Sequence, residues 1–98
     1  MYRSGQGVPQ DDAEAVKWWR KAAEQGIADA QHNVGSMYNN GQGVPRDYVF
    51  ALMWWNIAVA SGHEDAQRDR EIVAKQMTPD QIAEAQRLAR EWMAKHQQ

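Results

Sequence analysis

The chain has 98 residues, 43% hydrophobic and 24% charged, with a formal net charge of -2 and a pI near 5.9. That length suits one domain, which buries about two thirds of the surface its unfolded chain exposes, and the mild acidity supplies no basic field for nucleic acid or an anionic membrane. The absence of cysteine excludes a disulfide framework and a thiolate metal site. No apolar run approaches the length of a membrane span, and Met1 to Gly7 lacks the apolar core of a signal peptide. As written, the chain is expected to be soluble and to carry no address; cytoplasm fits it, and periplasm fits a longer parent.

In chain order, Gly5-Gln6-Gly7-Val8-Pro9 reads as a turn, because glycine accepts positive φ and proline cannot continue a helix. Asp11 then stands as the N-cap of an amphipathic helix, here called helix B. Its broad apolar stripe is expected to be Ala15, Trp18, Trp19, Ala22 and Gly26, with Glu14, Lys17, Lys21 and Glu24 on the remaining surface. Large tryptophans beside alanines are how antiparallel helices pack closely. Gly26 suits the C′ position that ends the helix.

From Asp29 to Asn39, apolar Ala30, Val34 and Tyr38 recur every four residues and define one stripe of a second kind of helix, helix A. Gly35 inside it costs about 1 kcal/mol relative to alanine, which points to a neighbour approaching too closely for a side chain. The same turn then returns as Gly41-Gln42-Gly43-Val44-Pro45, followed by the N-cap candidate Asp47 and a second helix B ending at Gly62.

These elements recur with a period of 36 residues. Residues 1–36 lie on residues 37–72 without a gap and with sixteen identities, among them Tyr2/Tyr38, Gly5/Gly41, Gly7/Gly43, Pro9/Pro45, Asp11/Asp47, Trp18/Trp54, Trp19/Trp55, Ala22/Ala58, Gly26/Gly62 and Ala30/Ala66. A fixed period of this size marks a unit that buries its apolar face only by stacking on a copy of itself.

The run Ala30-Gln31, Val34-Gly35, Met37-Tyr38, Gly41 to Pro45, Asp47, Ala51, Trp54-Trp55, Ala58 and Gly62 resembles a Sel1-like repeat, and Tyr2 to Gly26 matches it equally. The resemblance runs from Tyr2 to Gln67. It implies an all-α, α/α superhelical solenoid of antiparallel helix pairs, related in shape to tetratricopeptide arrays and acting as an adaptor for other proteins. It implies no active site. On this reading residues 1–27 form a partial repeat without its first helix, 28–63 a full repeat, and 64–98 a terminal helix and a capping helix.

Two departures from an ideal array stand out. The first helix B lacks a preceding helix A, so either the sequence is truncated or another chain fills the groove, as in a homodimer through the open N-terminal edge. The second helix B carries Phe50, Leu52, Met53, Ile57 and Ala60 where the first has Glu14, Val16, Lys17, Lys21 and Glu24. A helix apolar all round is buried all round or is an interface. Thr78-Pro79-Asp80-Gln81 supplies the cover: it reads as N-cap, proline at N1 and a glutamine completing a capping box. Ile82, Ala85, Leu88, Ala89, Trp92 and His96 then form a stripe expected to pack back on the second helix B.

Residues able to do chemistry are sparse. His32, His63 and His96 are scattered over a helix A, a helix-end turn and the terminal helix. His63-Glu64 is followed by Gln67 where a zinc-protease motif requires a second histidine. Ser4, Ser36 and Ser61 have no nucleophile-elbow context. The two Gly-x-Gly pairs follow no strand and precede no Gly-Lys-Ser/Thr, so a repeated turn accounts for both. All five tryptophans are expected in the core, and neither metal nor cofactor is expected.

In α/α solenoids the A helices line the concave side. The face of the first complete helix A away from Ala30, Val34 and Tyr38 carries His32, Asn33, Ser36 and Asn40. The corresponding positions of the next are Arg68, Asp69, Ile72 and Gln76, with Ile72 either an apolar anchor or core. Such a surface can hydrogen-bond an extended backbone. The expected function is therefore a non-catalytic adaptor or scaffold that binds a protein or peptide, without nucleic acid or membrane. The alternatives are a self-associating structural array, or a fragment of a larger Sel1-like protein with hydrolase activity.

Overall fold

The 36-residue period folds as antiparallel helix pairs. The computed structural model describes residues 12–96, where α1 spans Asp12–Glu24, α2 Ala28–Asn40, α3 Tyr48–Ala60, α4 Glu64–Ala74 and α5 Pro79–His96. No strand occurs among the described residues, and none of these helices is long and apolar enough to cross a membrane. The expectations for Met1, Tyr2, the turn from Gly5 to Pro9 and the N-cap role of Asp11 lie outside the described residues.

Local chemistry sets the helix ends. Asp47 caps α3, its carboxylate accepting from the Phe50 N–H at 3.1 Å. Thr78 and Gln81 form the expected reciprocal box: the Thr78 N–H donates to Gln81 Oε1 at 3.0 Å and the Gln81 N–H to Thr78 Oγ1 at 3.1 Å. Gly26 and Gly62 adopt φ of 90° and 95° where α1 and α3 end, the left-handed geometry that glycine adopts without a Cβ penalty. Between α2 and α3 the chain doubles back at Gly41, and the Asp47 N–H closes the loop on the Tyr38 carbonyl at 3.0 Å.

The centre of the molecule is α3. Ala51, Leu52, Met53, Trp54, Trp55, Ile57 and Ala58 are all buried, so the helix has no polar face. On one side Ala51, Leu52, Trp55 and Ala58 pack with Ala66, Val73, Met77 and Ala85. On the other, Met53, Trp54 and Ile57 pack with Ala23, Ala30, Val34 and Ala89. Full burial of Leu52, Ile57 or Val34 contributes roughly 1.5–3 kcal/mol each before entropy. The capping role expected of the last helix holds: α5 lies along α3, with Trp92 edge-on to Trp54 at a centroid separation of 5.6 Å.

Two expectations need correction. The buried line of α1 is Val16 and Ala23, not the stripe through Trp18 and Trp19, which are 58% and 41% exposed. The cause is coverage: α1 packs mainly on α2, whereas α3 is enclosed by α2, α4 and α5. Among the described residues, one narrow line of α1 is thereby shielded. The tryptophans accordingly divide: Trp54 and Trp55 are core, Trp92 is half-buried, and Trp18 and Trp19 face solvent.

Candidate functional site

One side of α2 faces α4 across the edge of Trp55. The Trp55 indole N–H donates to the His32 carbonyl at 3.0 Å and fixes the floor between the two helices. Gly35 permits this approach, because a Cβ there would stand 2.5 Å from Trp55 Nε1. The close neighbour expected from Gly35 is thus an indole rather than a helix backbone.

His32, half-buried, pairs with Asp69 of α4, Nε2 to Oδ2, at 2.6 Å. An ionised carboxylate only accepts, so the imidazole donates from Nε2. His32 also stacks on His63 with ring centroids 4.5 Å apart and planes 16° apart. His63 is the N-cap of α4: its Nδ1 accepts from the Ala66 N–H at 3.2 Å, and its Nε2 lies 3.1 Å from Asp29 Oδ1. Both Nε2 atoms are therefore directed at separate carboxylates from parallel rings and do not converge on a common point. Ser36 donates its hydroxyl to the His32 carbonyl at 3.1 Å, a local bond along the helix that does not engage an imidazole nitrogen.

Beyond this cluster a depression of about 270 Å³ opens between α2, α4 and the loop before α3. It brings together Asn40, Asp69, Ile72 and Gln76 of the expected face. Ile72 is 53% exposed, so it is a surface residue and not core. His32 joins this wall through Asp69 and Ser36 through the His32 carbonyl. Asn33 is half-buried and Arg68 exposed, and neither lines the depression.

Asn39, Arg46 and Tyr48, which were not singled out from sequence, also line it, as does Trp55, expected only as core. Arg46 and Tyr48 flank the cap Asp47, and the loop closure onto Tyr38 swings them to the groove; their proximity to Asp47 was the available signal. Arg46 lies over the Tyr48 ring at 6.0 Å, so the mouth carries one cation, and Asp69 on the opposite wall carries one anion. An arrangement of carboxamides, one ion of each sign and one exposed aliphatic side chain can align a polypeptide backbone and seat an apolar side chain.

Comparison with known proteins agrees with the helical architecture. The Sel1 repeat model matches residues 1–27 and 28–63. The crystal structure of a protective antigen present in uropathogenic Escherichia coli strains, described as displaying an SLR fold, is similar over 94% of this chain at 38% identity, with a TM-score of 0.87. A Sel1 repeat protein from Oxalobacter formigenes is similar over 88% of the chain at 30% identity, with a TM-score of 0.67. The chain spans 20% and 37% of the lengths of these two proteins. No curated protein sequence matches it. The Sel1 repeat fold is generally associated with protein–protein interaction, and such proteins are typically non-catalytic adaptors. With the Sel1 repeat model matching residues 1–27 and 28–63, more than half of the chain, and the described helices stacked as in these solved structures, the chain belongs to the Sel1 repeat family.

Proposed function

We propose that this chain is a non-catalytic adaptor module that recruits a protein through an extended segment laid along the concave groove between α2 and α4. The observation that carries the reading is Ile72: a β-branched aliphatic side chain held 53% exposed beside Asn40, Asp69 and Gln76. Exposed polar atoms around one apolar anchor offer hydrogen bonds to a backbone and a contact for a side chain, and Trp55 makes the floor rigid. No bond chemistry is assigned to the groove.

The test is affinity capture from native extract with the parent chain beside an Ile72→Asp/Gln76→Ala variant, both changed positions being exposed. A protein held by the parent and released by the folded variant supports the reading. Equal retention by both removes the groove from the account.

A second reading, self-association along the α1 edge, is favoured by one observation: Trp18 and Trp19 stand side by side, 58% and 41% exposed. Sedimentation equilibrium of the parent beside Trp18→Ser/Trp19→Ser distinguishes it. A dimer lost in the variant would make a homodimer the function of that edge, and a monomer at high concentration would dismiss it.

A further inference from the structure

A second depression, about 230 Å³ and sharing no lining residue with the concave groove, opens between α4 and α5 where both pack on α3. Asn56 of α3 and the buried Ala89 of α5 form its floor, and the half-buried Met93 adds a further apolar surface. Its polar lining is completed by Arg70 of α4 with Gln86 and Arg90 of α5.

The repeat marks two of these positions as departures. With the 36-residue period, Arg70 corresponds to Val34 of α2, which is fully buried, and Asn56 corresponds to Arg20 of α1. An arginine thus stands in α4 where the preceding helix A has a core valine, and the depression leaves it half-buried. Its Nη1 donates to Asn56 Oδ1 at 3.3 Å. The oxygen of a carboxamide accepts and its nitrogen only donates, so the guanidinium selects this orientation of Asn56 and is held against α3 by it. Among the described residues, the Nε and Nη2 hydrogens of Arg70 have no partner.

No carboxylate answers this charge. Among the described residues neither Arg70 nor Arg90 has an ion-pair partner, and no aspartate or glutamate lines the depression. Nearby acidic residues are engaged elsewhere: Asp69 pairs with His32, and Glu84 and Glu91 both pair with Arg87, one turn before Arg90 on α5. The contrast along α5 decides the sign of the ligand. Arg87 is neutralised by its own helix, whereas Arg90 shares a depression with a second unneutralised guanidinium, and two such groups together favour an anion. The net charge of -2 supplies no wider positive field, so the fit is to a discrete carboxylate and not to a polyanion.

We infer that the depression between α4 and α5 binds a carboxylate side chain from an acidic segment of a partner polypeptide, glutamate above all. A carboxylate accepts two parallel N–H bonds from one planar guanidinium and keeps lone pairs for the second, and the Gln86 carboxamide adds a further donor. Ala89 and Met93 offer the methylene stem of a glutamate an apolar seat. The site is independent of the concave groove, and its occupancy does not require that groove to function.

The test uses the folded chain at fixed ionic strength, with N-acetyl-glutamate-amide as probe, N-acetyl-glutamine-amide as its uncharged isostere and inorganic phosphate as a second anion. The readout is NMR shifts of arginine Nε–H, side-chain amide and methionine methyl signals. Glutamate is expected to move the Arg70 and Arg90 Nε–H, the Gln86 amide and the Met93 methyl along one saturating curve. Glutamine is expected to bind at least about tenfold more weakly, as befits loss of charge-assisted bonds. Arg90→Gln, at an exposed position, is expected to weaken glutamate binding about two- to fivefold without changing the fold. Arg70→Lys keeps the charge and loses the planar fork, and a weakening of about two- to fivefold is expected there as well. Arg68→Gln removes the same charge from an exposed position of α4 outside the depression and is expected to leave the curve unaltered. Glutamine binding as well as glutamate, an equal loss in Arg68→Gln, phosphate binding more tightly than glutamate, or no shift at tens of millimolar glutamate would each overturn the inference.

Discussion

Trp55 and Gly35 form a close side-chain-to-backbone junction between α2 and α3: the indole occupies the space a Cβ on residue 35 would need, at 2.5 Å, and its N–H reaches the His32 carbonyl at 3.0 Å. Gly35→Ala therefore pits a gain of about 1 kcal/mol in helix propensity against displacement of a buried ring. Overpacking of this kind costs about 1–3 kcal/mol, so the variant is expected to be net destabilised, by up to about 2 kcal/mol, in urea denaturation. A more stable variant would mean that the ring yields freely.

The two copies of the repeat give a matched pair of tryptophans. Trp55 is 4% exposed and its equivalent Trp19 is 41% exposed. Trp55→Ala is expected to cost about 3–5 kcal/mol. Trp19→Ala is expected to cost less than about 1 kcal/mol. Equilibrium unfolding of the two variants checks the contrast, and similar losses would contradict the placement of α1.

Capping also differs between the copies. His63 caps α4, whereas its equivalent Ile27 stands before α2 with extended backbone, no side-chain cap and 51% exposure. Ile27→Ser is expected to stabilise the chain by about 0.5–1 kcal/mol, because a hydroxyl satisfies an amide at the helix start and little apolar burial is lost. His63→Ala is expected to destabilise by about 1 kcal/mol, with the loss of the cap as the main cause. Thermal melts of both variants test the pair.

Much of the architecture was legible because the repeat states the same instruction twice. Gly62, Asp47 and the Thr78 to Gln81 box mark helix ends through local chemistry, which acts wherever the chain is placed. The apolar girth of α3 correctly required cover on every side, and α5 supplies it. The burial of α1 was misjudged because amphipathic spacing says which face is apolar and not how many neighbours cover it; Trp18 and Trp19 have the pattern of Trp54 and Trp55 without their enclosure.

The groove was partly legible for a similar reason. Helical phase placed Asn40, Asp69, Ile72 and Gln76 on one side, and they meet. Arg46 and Tyr48 arrive through the return of a loop, and helix periodicity carries no information about that. The His32–Asp69 pair spans 37 residues and follows from the angle between two helices, which no local spacing encodes.

The central claim is that the concave groove receives a protein partner. Site-specific photo-crosslinking in living cells tests it most directly, with p-benzoylphenylalanine placed at position 72 or 76 on the groove, at 18 on the α1 edge, and at 84 on the exposed face of α5. The account predicts adducts with the same protein from positions 72 and 76 and none with that protein from 84. Adducts only from position 18, or only with another copy of the chain, would contradict it and make self-association the function.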